Sequence, residues 1–537
     1  MAEIDILIIG AGPTGLALAL ELATQTPSPS FRIIEATVER SNKSRALVLH
    51  PRSLELLARH GIAQSFLSRG RFNHAIRLFA NQKFVFEIDL MKTPFRDTAF
   101  PNPLMISQAE TEAVLEETLS KYGIVVERGV KAENVVQDDG CATALLKSLD
   151  GNGGEKEQEV RCKYIVGCDG AHSIVRKSAG MKYEGAVYPQ DFILADVHMK
   201  WEQKACLSIF LGDNFMGVFP MKDEIYRLIL SRPKESGSDV EPTMKDFEDV
   251  MAKLVPGKAE IYDPVWVTRF RLHHRMVDNY RKGRMFVAGD AAHIHSPAGG
   301  QGMNTGIQDA VNLGWKLASA IRGEKDESFL DTYNIERRKV GLKLLHGTDR
   351  MFEMVATTNP VWLYLRNTLV PWIMPWLMRD PVTRESRFRF VSQLGIRYRN
   401  SPIVGQASTW KGTLRGGDRA PDGELDEAGA EGSVLGLCKG TSYHLLLFSG
   451  IGIAAASEEL LQEAELDFLK DGNDSVDVHK IFSTPVTNGR GNIDQEGKVH
   501  KLYGFKESGY VLVRPDGWIS FIGLLSTIDE LKIWAKK

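Results

Sequence analysis

The six residues Gly10-Ala11-Gly12-Pro13-Thr14-Gly15 constrain what this chain can fold into more than any other feature. They follow an apolar run at 4–9 and precede residues 16–22, whose apolar positions repeat at helical spacing, so the segment reads as strand, tight turn and helix. Residues 31–34 supply a second strand ending at Glu35, and a βαβ unit of this kind commits the chain to a parallel sheet covered on its faces. Gly10, Gly12 and Gly15 permit the turn and let a pyrophosphate approach backbone N–H groups at the positive end of the helix opened by Pro13 and Thr14. At the end of the second strand, the Glu35 carboxylate can accept hydrogen bonds from both ribose hydroxyls of an adenosine and would repel a 2′-phosphate. The unit binds a dinucleotide, but alone it does not separate FAD from NAD.

With 537 residues the chain exceeds one small module, and 43% hydrophobic with 25% charged residues supports several buried cores. Short buried strands are expected at 164–166 and 285–288, each ending at a Gly and Asp pair, so the first sheet recruits distant pieces and its domain is discontinuous. Residues 187–277 alternate as strands do and read as an inserted antiparallel sheet. Helical patterns persist from 308 to about 394, and a Gly, Asp and Pro-rich passage at 412–423 reads as a linker. A last unit holds strands at 444–448, 510–513 and 518–522 around the turn Pro515-Asp516-Gly517. The expected boundaries are therefore a nucleotide-binding domain at 1–186 and 278–345, the inserted substrate-binding sheet at 187–277, a helical segment at 346–411 and a C-terminal domain at 412–537.

Charge excludes one class of partner. The 66 basic and 69 acidic residues leave a net −3, without the global basic field that nucleic acid requires. Five cysteines, scattered and without a Cys-x-x-Cys pair, point to a reducing compartment rather than a disulfide framework. The first residues lack the basic start and apolar stretch of a signal peptide, so a cytoplasmic location is expected. Residues 362–378 are very apolar, yet they contain Arg366 and Asn367, are interrupted by Pro371 and Pro375, and fall short of a membrane span. They read as helices packed between domains, with a membrane-surface or ligand-entrance role as the other reading.

Two later segments carry a family resemblance. Cys168-Asp169-Gly170-Ala171-His172-Ser173, continuing to Arg176, and Gly289-Asp290-Ala291-Ala292-His293 resemble the two aspartate motifs of single-component FAD-dependent aromatic hydroxylases, the phenol and polyketide hydroxylase family. The second continues as Ser296-Pro297-Ala298-Gly299-Gly300-Gln301-Gly302-Met303-Asn304. Asp290 suits a ribityl hydroxyl, and the run from Pro297 through Gly300, Gly302 and Met303 to Asn304 offers small residues and N–H groups to the isoalloxazine edge. Arg45 resembles the family's arginine contact to FAD, Gln108 resembles the glutamine that holds the ribityl chain, and residues 333–338 (YNIERR) also fit. The resemblance implies an α/β architecture: a Rossmann-like FAD-binding domain with an inserted antiparallel sheet, a helical segment and a thioredoxin-like C-terminal domain without a redox Cys-x-x-Cys.

It also implies noncovalent FAD, NADPH or NADH as a transient co-substrate, O₂, and transfer of one oxygen to a phenolic ring through a C4a-hydroperoxyflavin, and it is compatible with a homodimer. Baeyer–Villiger or dearomatising oxygenation, and an FAD protein without catalysis, are the alternatives. Compared with phenol hydroxylase, Arg227 keeps an arginine position, but the neighbouring tyrosine position is Ile229 and an acid position is Leu47. This apolar pocket argues for a bulky aromatic rather than simple phenol. Phe210, Phe219 and Arg227 are the candidate substrate contacts, plain core packing being the more frequent role of phenylalanine at such sites, and Arg227 and Pro297 are assigned to catalysis. A buried guanidinium needs a partner such as a phenolate, carboxylate or ketone, and an ion pair with a nearby Asp or Glu is the competing reading for Arg227. Arg271, His273, His274 and Arg275 read either as nicotinamide contacts or as a solvated basic turn.

Overall fold

In the computed structural model, the described residues are 3–536 apart from 41–45, 93–94, 150–153, 202–205, 233–240, 297–298, 356–358, 378, 427–431, 453–454, 471, 473–474 and 486–490. Ile4–Ile9 forms the centre of the first sheet, pairing in parallel with Phe31–Glu35 on one side and with Glu155–Gly167 on the other. Met285–Val287 joins in parallel on the far side of Glu155–Gly167, with Ile165 facing Met285 and Gly167 facing Val287. Helices Pro13–Ala23 and Gly302–Ile321 cover this sheet, and both are apolar enough to be almost wholly buried.

The second sheet is wider than residues 187–277. Its order runs His293–Ile294, Ala259–Val277, Tyr183–Trp201, Ile225–Arg232, Phe215–Pro220, Cys206–Leu211, Ala75–Ala80 and Lys83–Asp89. The last two strands come from the first part of the chain, and Ala75–Ala80 pairs in parallel with Cys206–Leu211. Both faces are covered. Behind it, the helix Met244–Leu254, opened by a Thr243 and Asp246 capping box, packs Phe247, Met251 and Leu254 against Phe79, Phe210, Met216, Val218 and Leu228. The front face carries a separate apolar cluster of Tyr188, Phe192, Leu194, Ile229 and Phe270, with Phe215, Phe219 and Trp266 at its margin.

Pro360–Leu377 is one continuous helix that runs through Pro371 and Pro375, where the sequence suggested interruption. The C-terminal sheet has the order Asn492–Ile493, Val476–Phe482, Tyr443–Phe448, Gly509–Val513 and Ile519–Leu524, with a parallel first half, an antiparallel second half and flanking helices, which is a thioredoxin-like arrangement. Residues 412–423 are not an open linker: Gly417 and Ala420 donate to the carbonyls of Ile519 and Gly517, so this passage is bonded to the last hairpin.

Between the C-terminal unit and the nucleotide-binding unit lies a buried charged network. Arg514 bonds Glu336 at 2.7 and 2.9 Å and also Asp516, while Lys316 donates to Glu336 at 2.8 Å and Asn312 reaches both acids. All three charged side chains about Arg514 are fully buried. Burial alone would raise the Glu336 pKa, but Arg514 and Lys316 hold it well below the usual carboxylate range. Burial pushes Lys316 down to about 8.

Candidate functional site

The dinucleotide turn has the form its glycines require. Gly10 adopts φ +103°, and a Cβ there would lie 2.4 Å from the Cys168 carbonyl oxygen; a Cβ on Gly15 would lie 1.9 Å from the Gly10 oxygen. Around Gly12, in contrast, nothing lies within 4 Å of a Cβ. Gly12 caps the helix without a side-chain bond, so the first-turn amides face open space where an anion gains most from them. Glu35 accepts from the Ala11 and Thr37 N–H groups, each at 3.0 Å, which fixes its carboxylate beside the turn.

Thr14 brings the other motifs to this turn. Its Oγ1 would be 2.5 Å from a Cβ on Gly289 and 2.3 Å from one on Gly306, so both glycines are needed for the close crossing of three segments. Asp290 follows at the end of the short strand, exposed at its side chain, with its carbonyl accepting from Tyr183 Oη at 3.1 Å. Arg176 bonds the carbonyls of Ala291 and Ala171, tying the two aspartate motifs together. Asp169 is turned inward: its Oδ2 accepts from the Ile174 N–H at 2.7 Å, and its Oδ1 is buried without a hydrogen-bond partner. Burial raises its pKa.

The glycine loop before Gly302–Ile321 is held from several sides. Asn304 is buried, accepts from the His50 N–H at 2.7 Å and donates to the carbonyls of Val48 and Gly300. His50 Nε2 bonds the Gly299 carbonyl at 2.7 Å. Asp309 accepts from the Gly289 N–H at 3.1 Å, pairs with His293 Nε2 at 2.7 Å and takes Arg337 Nε at 2.6 Å. Burial would raise the Asp309 pKa, yet Arg337 and His293 hold it below its ordinary value, so His293 donates to an ionised carboxylate. Gly300 has φ +65°, and Gly302 opens the helix without a side-chain cap. Met303 packs against the main core. Gln108 opens the helix Gln108–Ser120 and donates to Glu112 at 2.8 Å. Arg45 and Pro297 lie outside the described residues.

These residues fit FAD. The open, uncapped turn suits a pyrophosphate, Glu35 suits the adenosine ribose, and the glycine loop leaves its amides on an apolar, tightly held support. The structure also exposes two buried histidines beside that loop to pH. Burial lowers His50 to about 4, and burial together with nearby His293 lowers His295 to about 4. Because both are held neutral in the folded chain and have an ordinary value of 6.5, the stability tied to neutrality is complete above pH 6.5 and is lost as pH falls toward about 4. Each histidine contributes a slope of up to about 1.4 kcal/mol per pH unit in that window. Flavin release, followed by its fluorescence, should rise over the same window; retention that is flat across it would contradict this assignment.

Replacing Asp290 with Ala should leave the fold intact, since the side chain is exposed, and yield protein poor in flavin. Loss of one charge-assisted hydrogen bond weakens binding by about ten- to a hundredfold. Flavin absorbance per chain after purification measures this, and full occupancy would remove Asp290 from the cofactor site.

The front face of the second sheet meets the glycine loop through His293–Ile294, whose residues pair with Arg275 and Met276. Arg227 lies on that face with Ile229 and Phe219, but its guanidinium is engaged: Nε and Nη2 donate to Asp196 at 2.8 and 2.7 Å. Trp266 Nε1 adds a 2.6 Å bond to the same carboxylate. The ion-pair reading of Arg227 therefore describes its geometry. Phe210 requires correction as a substrate contact. Its pairing with Met216 puts it on the rear face, fully buried and stacked on Phe79 at 4.9 Å. Phe219 is opposite Arg227 on the front. Arg271, His273, His274 and Arg275 form no turn; they lie within the strand Ala259–Val277, where Arg271 meets Asp191 at 3.1 Å and His274 packs edge-on to Tyr188. Sequence reasoning missed Asp196, Trp266 and Asp309. The signal for Asp196 was a lone acid inside the apolar strand sequence Phe192-Ile193-Leu194-Ala195-Asp196-Val197.

Known proteins agree with this site. Residues 3–348 match the family described as FAD binding domain, and residues 453–537 match the phenol hydroxylase C-terminal dimerisation domain. A 6-methylpretetramide 4-monooxygenase from Streptomyces rimosus is 31% identical, covering 98% of this chain and 92% of its own length. A pentachlorophenol 4-monooxygenase from Sphingobium chlorophenolicum is 32% identical over 96% of this chain and 93% of its own. The solved anhydrotetracycline hydroxylase from Streptomyces rimosus superimposes with a TM-score of 0.74 at 28% identity, covering 98% of this chain and 96% of that one. Among the described residues no helix is long and apolar enough to cross a membrane. With its glycine turn, its two tied aspartate motifs and these relatives along nearly its whole length, the chain belongs to the FAD-dependent aromatic monooxygenases of the phenol and polyketide hydroxylase family.

Proposed function

We propose that the protein hydroxylates a bulky phenolic or polyketide-derived aromatic compound, using NAD(P)H and O₂. The observation that carries this reading is the apolar front face of Phe192, Leu194, Phe219, Ile229 and Phe270, which holds the Asp196, Arg227 and Trp266 group and is joined by backbone pairing to the strand before the glycine loop. The activities of these relatives, on 6-methylpretetramide, pentachlorophenol and anhydrotetracycline, support the substrate class. In the overall balance a hydride from NAD(P)H and one proton enter, one atom of O₂ replaces a ring hydrogen as hydroxyl, and the other atom leaves as water.

When bound, FAD accepts the hydride and carries the oxygen to be transferred. Gly10, Gly12, Pro13, Thr14 and Gly15 would hold its pyrophosphate, Glu35 its adenosine ribose, Asp290 with Gln108 its ribityl chain, and Gly300, Gly302, Met303 and Asn304 the loop at its ring. Asp169 would act through the loop it caps, and Arg45 and Pro297 complete the set. The apolar face excludes water and packs the substrate ring, and Phe219 beside Arg227 would line one edge. Because Asp196 neutralises Arg227, the pair offers hydrogen bonds rather than net charge to a substrate hydroxyl or ketone. The scattered cysteines without a Cys-x-x-Cys pair fit a cytoplasmic enzyme, and the dimerisation-domain match supports a homodimer.

Anaerobic stopped-flow reduction of the flavin by NADPH or NADH, run against a panel of phenols, tests the reading. Polycyclic phenols should accelerate reduction far more than phenol itself. Equal rates with and without every aromatic would contradict it.

A further inference from the structure

The helix Pro360–Leu377 is apolar over most of its circumference, interrupted at Arg366, Asn367 and Thr368, but covered on only one side. Arg366 is buried on the covered side and donates to the Gly212 carbonyl, and Val370 packs against the Leu78, Ala80 and Leu211 cluster of the second sheet. The other half presents Trp372 at 79% exposure, Tyr364 at 71%, Trp376 at 68% and Trp362 at 63%, with Val361, Leu369 and Ile373 between them. At 100° per residue these positions fall within one half-turn of the helix. A helix that is hydrophobic all round is stable only when it is buried, and a face of this composition marks a binding surface.

The residues that follow indicate what covers it. Arg379 and Arg387 are exposed and Arg384 is half-buried beyond the C-terminal end of the helix. Over 379–389 four arginines stand against two acids: Asp380 caps the next helix by accepting from the Thr383 N–H at 2.8 Å, and Glu385 pairs with Arg389 at 2.8 Å. Aromatic and aliphatic side chains flanked by arginine match the boundary between acyl chains and anionic headgroups. A second copy presenting the same face would bring the same net-positive stretch against this one, and the dimerisation-domain match lies elsewhere, at 453–537.

We propose that Pro360–Leu377 docks the enzyme on an anionic phospholipid surface, lying in the plane of the headgroups without spanning the bilayer. Tyr364, Trp372 and Trp376 enter the acyl boundary, and Arg379 and Arg384 meet lipid phosphates. This inference is independent of the substrate's identity. The buried side of the helix nonetheless packs, through Val370, on the Leu78, Ala80 and Leu211 cluster that Phe215 also joins, and Phe215 borders the apolar front face.

The test is sedimentation of the FAD-loaded enzyme with vesicles of phosphatidylcholine alone and of phosphatidylcholine with phosphatidylglycerol. The enzyme should pellet with the mixed vesicles, and added salt should weaken the association. W372E with W376E should lower the partition coefficient by about tenfold or more. R379E with R384E should remove most of the preference for phosphatidylglycerol. Flavin content and far-UV circular dichroism should remain unchanged in both variants. Enzyme that stays in the supernatant, or pellets equally well as W372E/W376E, would overturn the proposal. So would a change of W372E/W376E to a lighter species in lipid-free sedimentation velocity, which would assign the face to a second copy.

Discussion

Replacing Arg227 with Met is expected to destabilise the folded protein by about 3–5 kcal/mol, because it strands Asp196 in a buried site. Both side chains are buried, at 1% and 9% exposure, and the carboxylate would keep only Trp266 as a side-chain partner among the bonds described above. The midpoint in urea should therefore fall. Adding Asp196→Leu to the same chain should restore much of the loss, since the unpaired charge is then gone, and the double-mutant cycle isolates the coupling. An Arg227→Met enzyme that keeps its full stability would mean that the pair contributes little and that the guanidinium is held for substrate. Loss of hydroxylation alone would not distinguish these roles; loss of stability rescued by Asp196→Leu does.

Arg514→Met should have an effect of similar size, about 3–5 kcal/mol, at the junction of the two units. It removes the cation shared by Glu336 and Asp516 and leaves Glu336 with Lys316 and the Asn312 amide as partners. The pH dependence identifies the cause. In the native chain Glu336 is held below its ordinary value, so its contribution is complete above that value and is lost only at lower pH. Without Arg514 the carboxyl rises, because burial now dominates, and the variant's deficit should shrink as acid protonates it. A deficit independent of pH would assign the loss to packing against Trp315 and Tyr398, whose rings lie 5.3 and 5.5 Å from the Arg514 guanidinium carbon.

The nucleotide turn was legible because its chemistry is local: the strand Ile4–Ile9, the glycines and Glu35 lie within 35 residues and each has a specific backbone duty. The face of Phe210 was not. Strand faces are read from polar and apolar alternation, and the sheet holding Phe210 is covered on both sides, by the helix Met244–Leu254 behind and the apolar cluster in front, so alternation carries no signal there. Recruitment of Ala75–Ala80 beside Cys206–Leu211 rests on a parallel pairing across more than a hundred residues, which periodicity does not encode. Pro515-Asp516-Gly517 read correctly as a turn, but the burial of Asp516 against Arg514 depends on docking between units. Arg227 was legible as a buried cation needing a partner, and its register opposite Asp196 supplies one.

The most direct test of an oxygenase built on this site is turnover under ¹⁸O₂ with NAD(P)H and a polycyclic phenol that accelerates flavin reduction. The product should gain one labelled oxygen atom per molecule, with the second atom recovered in water. Product that takes its oxygen from unlabelled water, or NAD(P)H oxidation that yields only peroxide with every aromatic offered, would contradict the account.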